Sequence, residues 1–209
     1  MLFKPEFDEN GKKILCEMNG INSEMLMDIY VKKLKKGEKL VIDEKDNECA
    51  VLLLSGEINF SVGDSINENC KRKNPFEKKP YAVHFSHDTH AEITALSDSE
   101  VLVQMTDNDR VWEPVFYNPD NCLYQEFGKG QWNGTGHRIV STMFDLDNAP
   151  YSNMVMGEVF NQPGRWSSYP PHYHPQPELY YYQFDRPEGF GAGFEGDTPY
   201  KTENGSCLC

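Results

Sequence analysis

The chain has 209 residues, with 33 acidic side chains against 20 basic ones and a formal net charge of −13. That balance argues against nucleic acid and anionic membrane surfaces as partners, because both need a basic face; a small anionic substrate needs only a local basic pocket. A hydrophobic fraction of 38% excludes a disordered chain, and 13 prolines with 16 glycines favour an all-β chain of short strands over a helical bundle.

Leu2 and Phe3 suit an edge strand. Alternation predicts strands over 25–34 and 38–43, with the charged turn Lys35-Lys36-Gly37 between them. Residues 49–54 form a continuous apolar run broken by Ser55-Gly56, after which Ile58, Phe60 and Val62 alternate. This predicts a buried strand, a turn or bulge, and a second strand with one buried face. The polar stretch 64–79, with Lys71-Arg72-Lys73, reads as a solvated loop. Strand resumes over 81–85, and 91–96 with 100–105 read as a hairpin turned at Ser97-Asp98-Ser99. His84, His87 and His90 invite a metal reading. No carboxylate follows at ligand spacing and a period of three does not suit a strand, so a solvated polar loop beside Asp88 accounts for them. Turn residues gather over 106–128, which reads as a linker between residues 1–115 and 116–209. Cys16, Cys49, Cys70, Cys122, Cys207 and Cys209 show no CxxC pair, and no signal peptide or membrane-length apolar run is present. A reducing, cytoplasmic setting is expected.

The stretch from Gly128 to Gly136 is glycine-rich but lacks the Gly-Lys-Ser/Thr of a phosphate loop. Arg138 leads into a strand over 139–144, and residues 153–160 form the next. Asn161-Gln162-Pro163-Gly164 then turns the chain into Arg165-Trp166-Ser167-Ser168-Tyr169-Pro170-Pro171-His172-Tyr173-His174-Pro175-Gln176-Pro177-Glu178. On extended backbone, residues i and i+2 face the same side. His172 and His174 can therefore converge, and the short Pro175-Gln176-Pro177 corner lets Glu178 join them. Two imidazoles and a carboxylate suit one divalent transition metal (Zn, Mn or Fe) with open positions. Tyr180 and Tyr182 alternate onto the Glu178 side, where a phenol can hold a sugar hydroxyl or relay a proton. Arg138, Arg165 and Lys129 are the candidates for binding a substrate carboxylate, which a guanidinium fork takes bidentately.

His-x-His-x3-Glu, flanked by Gly164 and Gly189, resembles the first metal motif of the cupin superfamily. The wider string from Gly164 to His174, then Glu178-Leu179-Tyr180-Tyr181-Tyr182 and Pro187-Glu188-Gly189-Phe190-Gly191, resembles the 5-deoxyglucuronate isomerase family, the bicupin isomerases of bacterial inositol breakdown. Residues 40–62 and the Gly-rich lead to Arg138 resemble the same family. The string departs from it at Tyr173 and Pro175, where a basic and an acidic residue are common. The resemblance implies a bicupin of two jelly-roll barrels: a metal-free one over 1–115 and a metal-binding one over 116–209. It implies conversion of 5-deoxy-glucuronate to 5-dehydro-2-deoxy-gluconate, with a sugar acid as the partner molecule and a homodimer allowed. In the family a later hairpin brings a further histidine ligand. This sequence stops at Gly205-Ser206-Cys207-Leu208-Cys209 without one, so the second barrel is expected to be incomplete, truncated at its C-terminal end.

A metal held by three side chains can take the carbonyl and adjacent hydroxyl oxygens of an open-chain sugar acid and acidify the neighbouring C–H. A base then moves the proton to the next carbon; Glu178, Tyr180, Tyr182 and Glu158 are the candidates. The same residues allow a 5-keto-4-deoxyuronate isomerase, a cupin Fe(II) dioxygenase, or a non-catalytic sugar-acid-binding cupin. Turnover without oxygen consumption separates an isomerase from a dioxygenase, and binding without turnover marks the third alternative.

Overall fold

The computed structural model describes residues 1–77, 79–168 and 172–209. The strands of the first part are β1 (Leu2–Phe3), β2 (Lys12–Cys16), β3 (Asp28–Leu34), β4 (Lys39–Ile42), β5 (Asn47–Val62), β6 (Ile66–Arg72), β7 (Ala82–Phe85), β8 (Ala91–Ala95), β9 (Ser99–Asp107) and β10 (Val115–Tyr117). They are followed by β11 (Leu123–Phe127), β12 (Arg138–Phe144), β13 (Met156–Asn161), β14 (Tyr180–Tyr181), β15 (Phe190–Glu195), β16 (Thr198–Glu203) and β17 (Cys207–Leu208). The helical residues are short 3-10 turns at Ser23–Met25 and Trp132–Gly134, and among the described residues no helix is long and apolar enough to cross a membrane. The protein is all-β, as its composition predicts.

Strand β5 holds the first half together. Its residues 47–55 pair with β9 and, over 49–52, with β7, whereas residues 56–62 pair with β6 and, over 58–62, with β8. One strand thus serves two branches of a nine-stranded sheet. The sequence already carries this division. Cys49, Val51 and Leu53 enter one core and Ala50, Leu52 and Leu54 a second, so the apolar run has no solvent face. Beyond the break only Ile58, Phe60 and Val62 are buried, as one-sided alternation requires.

The break itself is a bulge inside a continuous strand: the register shifts between Leu53 and Ser55. Gly56 follows at φ +105°, and a Cβ there would lie 2.6 Å from Ser99 Cα. Gly56→Ala is expected to cost about 2–4 kcal/mol in urea unfolding, from backbone strain plus the clash. An unchanged midpoint would show that the bend does not need glycine.

This bend also corrects the hairpin expected over 91–105. Strand β8 pairs with β4 and β5, and β9 with β3 and β5. The Ser97-Asp98-Ser99 turn carries the backbone across Gly56 from one branch to the other; the Ser97 and Ser99 hydroxyls accept from the Glu57 N–H at 3.0 and 3.1 Å. Residues 64–79 are not simply a loop, because β6 forms a hairpin with β5. The expected strand at 25–34 begins at Asp28, since Leu26 sits in the left-handed region at φ +56°. The linker region contributes β10 to the first sheet and β11 to the second half.

Among the described residues, buried Arg72 and buried Glu48 each reach across to the second half. Arg72 at the end of β6 is fully buried, donating to Leu53 O at 2.9 Å and bidentately to Glu158 of β13 at 2.8 and 2.6 Å. This corrects the solvated reading of the basic cluster for Arg72. Glu48 is also fully buried. It accepts from Asn108 Nδ2 at 3.1 Å, Ser152 Oγ at 3.2 Å and Asn153 N at 2.7 Å, and faces His84 Nε2 at 3.3 Å. The His84 ring stacks on Phe144 at 4.0 Å. The three histidines therefore part company: His84 is a core residue, His87 Nδ1 lies 2.9 Å from Asp88, and His90 Nδ1 lies 2.6 Å from Asp43. The two ends of the sequence also meet, with β17 lying between β1 and β14.

Candidate active site

The site is approached from β12 and β13, which pair in register from Arg138↔Asn161 to Thr142↔Gly157. Residues opposite one another share a face. Arg138, Val140 and Val159 lie on one face; Ile139, Ser141, Glu158 and Phe160 lie on the other. The second face turns towards the first half, through Glu158 on Arg72 and the Phe160 ring 6.2 Å from Phe76. Both Glu158 oxygens are thus committed to a guanidinium, which removes it from the candidate bases.

After β13 the Arg165 N–H closes a turn onto Gln162 O at 3.0 Å, and the Trp166 N–H donates to Thr135 O at 2.8 Å. The Trp166 ring lies 5.8 Å from that of Phe194 in β15. These contacts tie the glycine-rich segment to the start of the motif. Tyr169, Pro170 and Pro171 lie outside the described residues.

His174 is oriented by the backbone. Its Nδ1 lies 2.9 Å from Gln176 O and its Nε2 lies 3.3 Å from Glu178 Oε2. A carbonyl can only accept, so Nδ1 carries a proton and donates it to Gln176 O, which leaves Nε2 facing the carboxylate. Ligand atoms about 2.1 Å from a tetrahedral ion sit about 3.4 Å apart, a spacing this pair shares with a direct ion pair. The His172 and His174 ring centres are 6.0 Å apart, inclined at 37°. Among the described residues no three His, Cys, Asp or Glu side chains form a metal-holding group. The structure brings His174 and Glu178 together and leaves His172 alongside. The side chains of His174 and Glu178 are 39% and 46% exposed, so water reaches the pair freely.

Tyr180 and Tyr182 stack at 6.1 Å and 25°, on one side of the strand as alternation requires. The Tyr180 hydroxyl lies 3.2 Å from Ser168 Oγ. Burial pushes both phenols up to about 12, with Glu178 adding to the rise. They stay protonated at neutral pH and can donate but not accept a proton, which leaves Glu178 as the base candidate. Arg138 lies over the Phe127 ring at 5.1 Å and donates to Gly136 O at 3.3 Å. Arg165 donates to Asn133 O at 3.2 Å. Neither arginine pairs with a carboxylate among the described residues. Lys129, by contrast, sits 2.7 Å from Glu126, so its charge is already matched.

A model of the KduI/IolB family matches residues 1–209. The chain belongs to the KduI/IolB family. The 5-deoxy-glucuronate isomerase of Bacillus velezensis is 30% identical over 205 residues, spanning 91% of this chain and 74% of that one. The 5-deoxy-glucuronate isomerase of Bacillus subtilis is 29% identical over the same shares. An IolB-like protein of Salmonella typhimurium superposes with a TM-score of 0.81 at 21% identity, over 99% of this chain and 82% of that one. The E. coli protein Ylba gives 0.63 at 11% identity, over 99% and 80%. This KduI/IolB family member thus shares its cupin-like architecture with solved proteins along nearly its whole length.

Two features of the site have little signal in residue spacing. The Gln176 carbonyl that orients the His174 ring is a backbone group, and the Ser168–Tyr180 contact joins residues 12 apart.

Proposed function

We propose that this protein is a uronic-acid isomerase converting 5-deoxy-glucuronate to 5-dehydro-2-deoxy-gluconate, a step of inositol breakdown in the cytoplasm. One observation carries the reading: His174 turns its Nε2 to Glu178 at 3.3 Å, with Nδ1 donating to Gln176 O. Membership of a family whose matched relatives are named 5-deoxy-glucuronate isomerases supports this choice of substrate. His172, His174 and Glu178 would hold one divalent ion, Zn, Mn or Fe. Such an ion supplies Lewis acidity beside the substrate carbonyl when bound. On the same reading residues 1–115 form the metal-free half and 116–209 the half that carries the site.

The protein's own groups account for the proton. An aldose–ketose shift moves one proton between adjacent carbons without net redox change. Glu178 takes it from one carbon through the carboxylate oxygen turned away from His174 and returns it to the next, while the substrate's hydroxyl proton passes to the former carbonyl oxygen. Tyr180, oriented by Ser168, donates a hydrogen bond to the substrate oxygen where charge grows, and Tyr182 is a second donor beside it. Arg138 and Arg165 seat the substrate carboxylate; Lys129 is the weaker candidate because Glu126 already neutralises it.

Incubation with 5-deoxy-glucuronate is expected to yield the ketose with no oxygen uptake. Uptake in step with turnover would mark a dioxygenase instead, and binding without turnover would mark a sugar-acid-binding cupin. Removal of metal by a chelator is expected to lower the rate at least about 100-fold, with recovery on adding back Zn, Mn or Fe. An unchanged rate in metal-depleted protein would remove the metal from the reaction. Tyr180→Phe is expected to lower kcat by about 10- to 100-fold with KM little changed, because its hydrogen bond strengthens as charge develops. A rise in KM alone would make Tyr180 a ground-state binding residue.

A further inference from the structure

The two sides of β14 look into different spaces. Tyr180 and Tyr182 stack on the Glu178 side, whereas Tyr181 and Gln183 line a separate cleft of about 460 Å³. That volume lies in the range of about 300–1,000 Å³ common for small-molecule sites. Lys13 of β2 belongs to this cleft and is only 7% exposed. Its Nζ lies 4.4 Å from the Phe7 ring centre and 5.6 Å from that of Tyr181. A Cβ added at Gly205 would sit 3.1 Å from the same atom. Phe7, Tyr181 and Gly205 all line the cleft, so the ammonium stands at its wall.

Among the described residues the Lys13 ammonium makes no hydrogen bond or ion pair; it lies against the two rings. The residue is largely buried with no carboxylate against its ammonium, which disfavours the charged form. Burial holds its pKa below the usual lysine range and Lys33 opposes its charge, while Glu100 and Glu6 favour it. Glu100 lines the same cleft and is held above the usual carboxylate range by burial, despite Lys33 and Lys13. An ammonium and a carboxyl group that share a cleft without pairing suit a ligand with an anionic oxygen for one and a hydroxyl for the other. Asn204 accepts the Phe184 N–H through Oδ1 at 3.3 Å, which leaves its amide N–H groups for the cleft.

We propose that this cleft is a second ligand site, for a small hydroxylated carboxylate, with the carboxylate on Lys13 and the hydroxyls on Glu100, Gln183 and Asn204. The aromatic faces of Phe7 and Tyr181 cover the ligand's C–H surface. The site stands independently of the reaction assigned above.

The test is a calorimetric titration of the full-length protein with glucuronate, using wild type, Lys13→Met, Gln183→Leu and Glu178→Gln. Lys13→Met is expected to weaken one class of sites at least about tenfold, the loss of a charge-assisted contact, and Gln183→Leu to weaken it less. Both variants should keep the wild-type KM for isomerisation. Glucose, which lacks the carboxylate, should bind at least about tenfold more weakly than glucuronate at this site. Unaltered glucuronate binding in both Lys13→Met and Gln183→Leu overturns the proposal, and so does binding that is lost only in Glu178→Gln. If Lys13→Met fails to fold, Gln183→Leu alone decides between the same outcomes.

Discussion

Glu178→Gln is expected to lower kcat on the order of 10³-fold, within the range for removing a general base, with no loss of fold. The substitution keeps the shape of the side chain and one acceptor oxygen, and removes only the charge and the second basic oxygen. The side chain is 46% exposed, so no buried ion pair is broken. The variant also separates the two roles one carboxylate could fill. Loss of rate with metal content retained assigns Glu178 to proton transfer; parallel loss of both assigns it to the ion. His174→Ala serves as the comparison, because it removes one member of the 3.3 Å pair without touching the carboxylate. Wild-type kcat in Glu178→Gln would place the reaction elsewhere in the molecule.

The sequence makes local periodicity legible and leaves long-range pairing hidden. The two-sided burial of residues 49–54, the bulge at Ser55-Gly56 and the one-sided alternation after it are all readable, because each follows from near neighbours along the backbone. The partners of β8 are not readable. A turn at Ser97-Asp98-Ser99 between two strands looks like a hairpin from sequence, and only the bend in β5 directs the strands to different branches. Strand β6 carried a signal that its polarity masked. Ile66, Cys70 and Arg72 lie at even spacing after the Gly63-Asp64 turn and are its buried residues. Arg72 in that set looks like a surface cation because its partner, Glu158, is 86 residues away. At the site, spacing suggests that His172, His174 and Glu178 converge; the structure brings His174 to Glu178 at 3.3 Å, and no three such side chains gather among the described residues. His84 was misplaced for the same reason as Arg72: the carboxylate that accounts for it, Glu48, is 36 residues distant.

Arg72→Met is expected to destabilise the protein by about 3–5 kcal/mol, the range for removing one partner of a buried ion pair. The guanidinium is fully buried, and the Glu158 carboxylate is 21% exposed. Removing the cation strands a partly buried carboxylate and also leaves Leu53 O without its donor at 2.9 Å. The position matters beyond its own energy, because Arg72 ends β6 in the first sheet whereas Glu158 lies in β13. The pair therefore clamps the β11–β12–β13 sheet, whose far face carries Arg138, against the first half. Urea unfolding followed by tryptophan fluorescence measures the loss directly. The double variant Arg72→Met, Glu158→Leu separates the two explanations: recovery of most of the loss shows that the cost lies in the unpaired carboxylate. If the double variant is as unstable as Arg72→Met, the cost lies in the lost contact to Leu53 and the packing of the arginine stem. An Arg72→Met protein as stable as wild type would show that the bidentate pair does not hold the halves together.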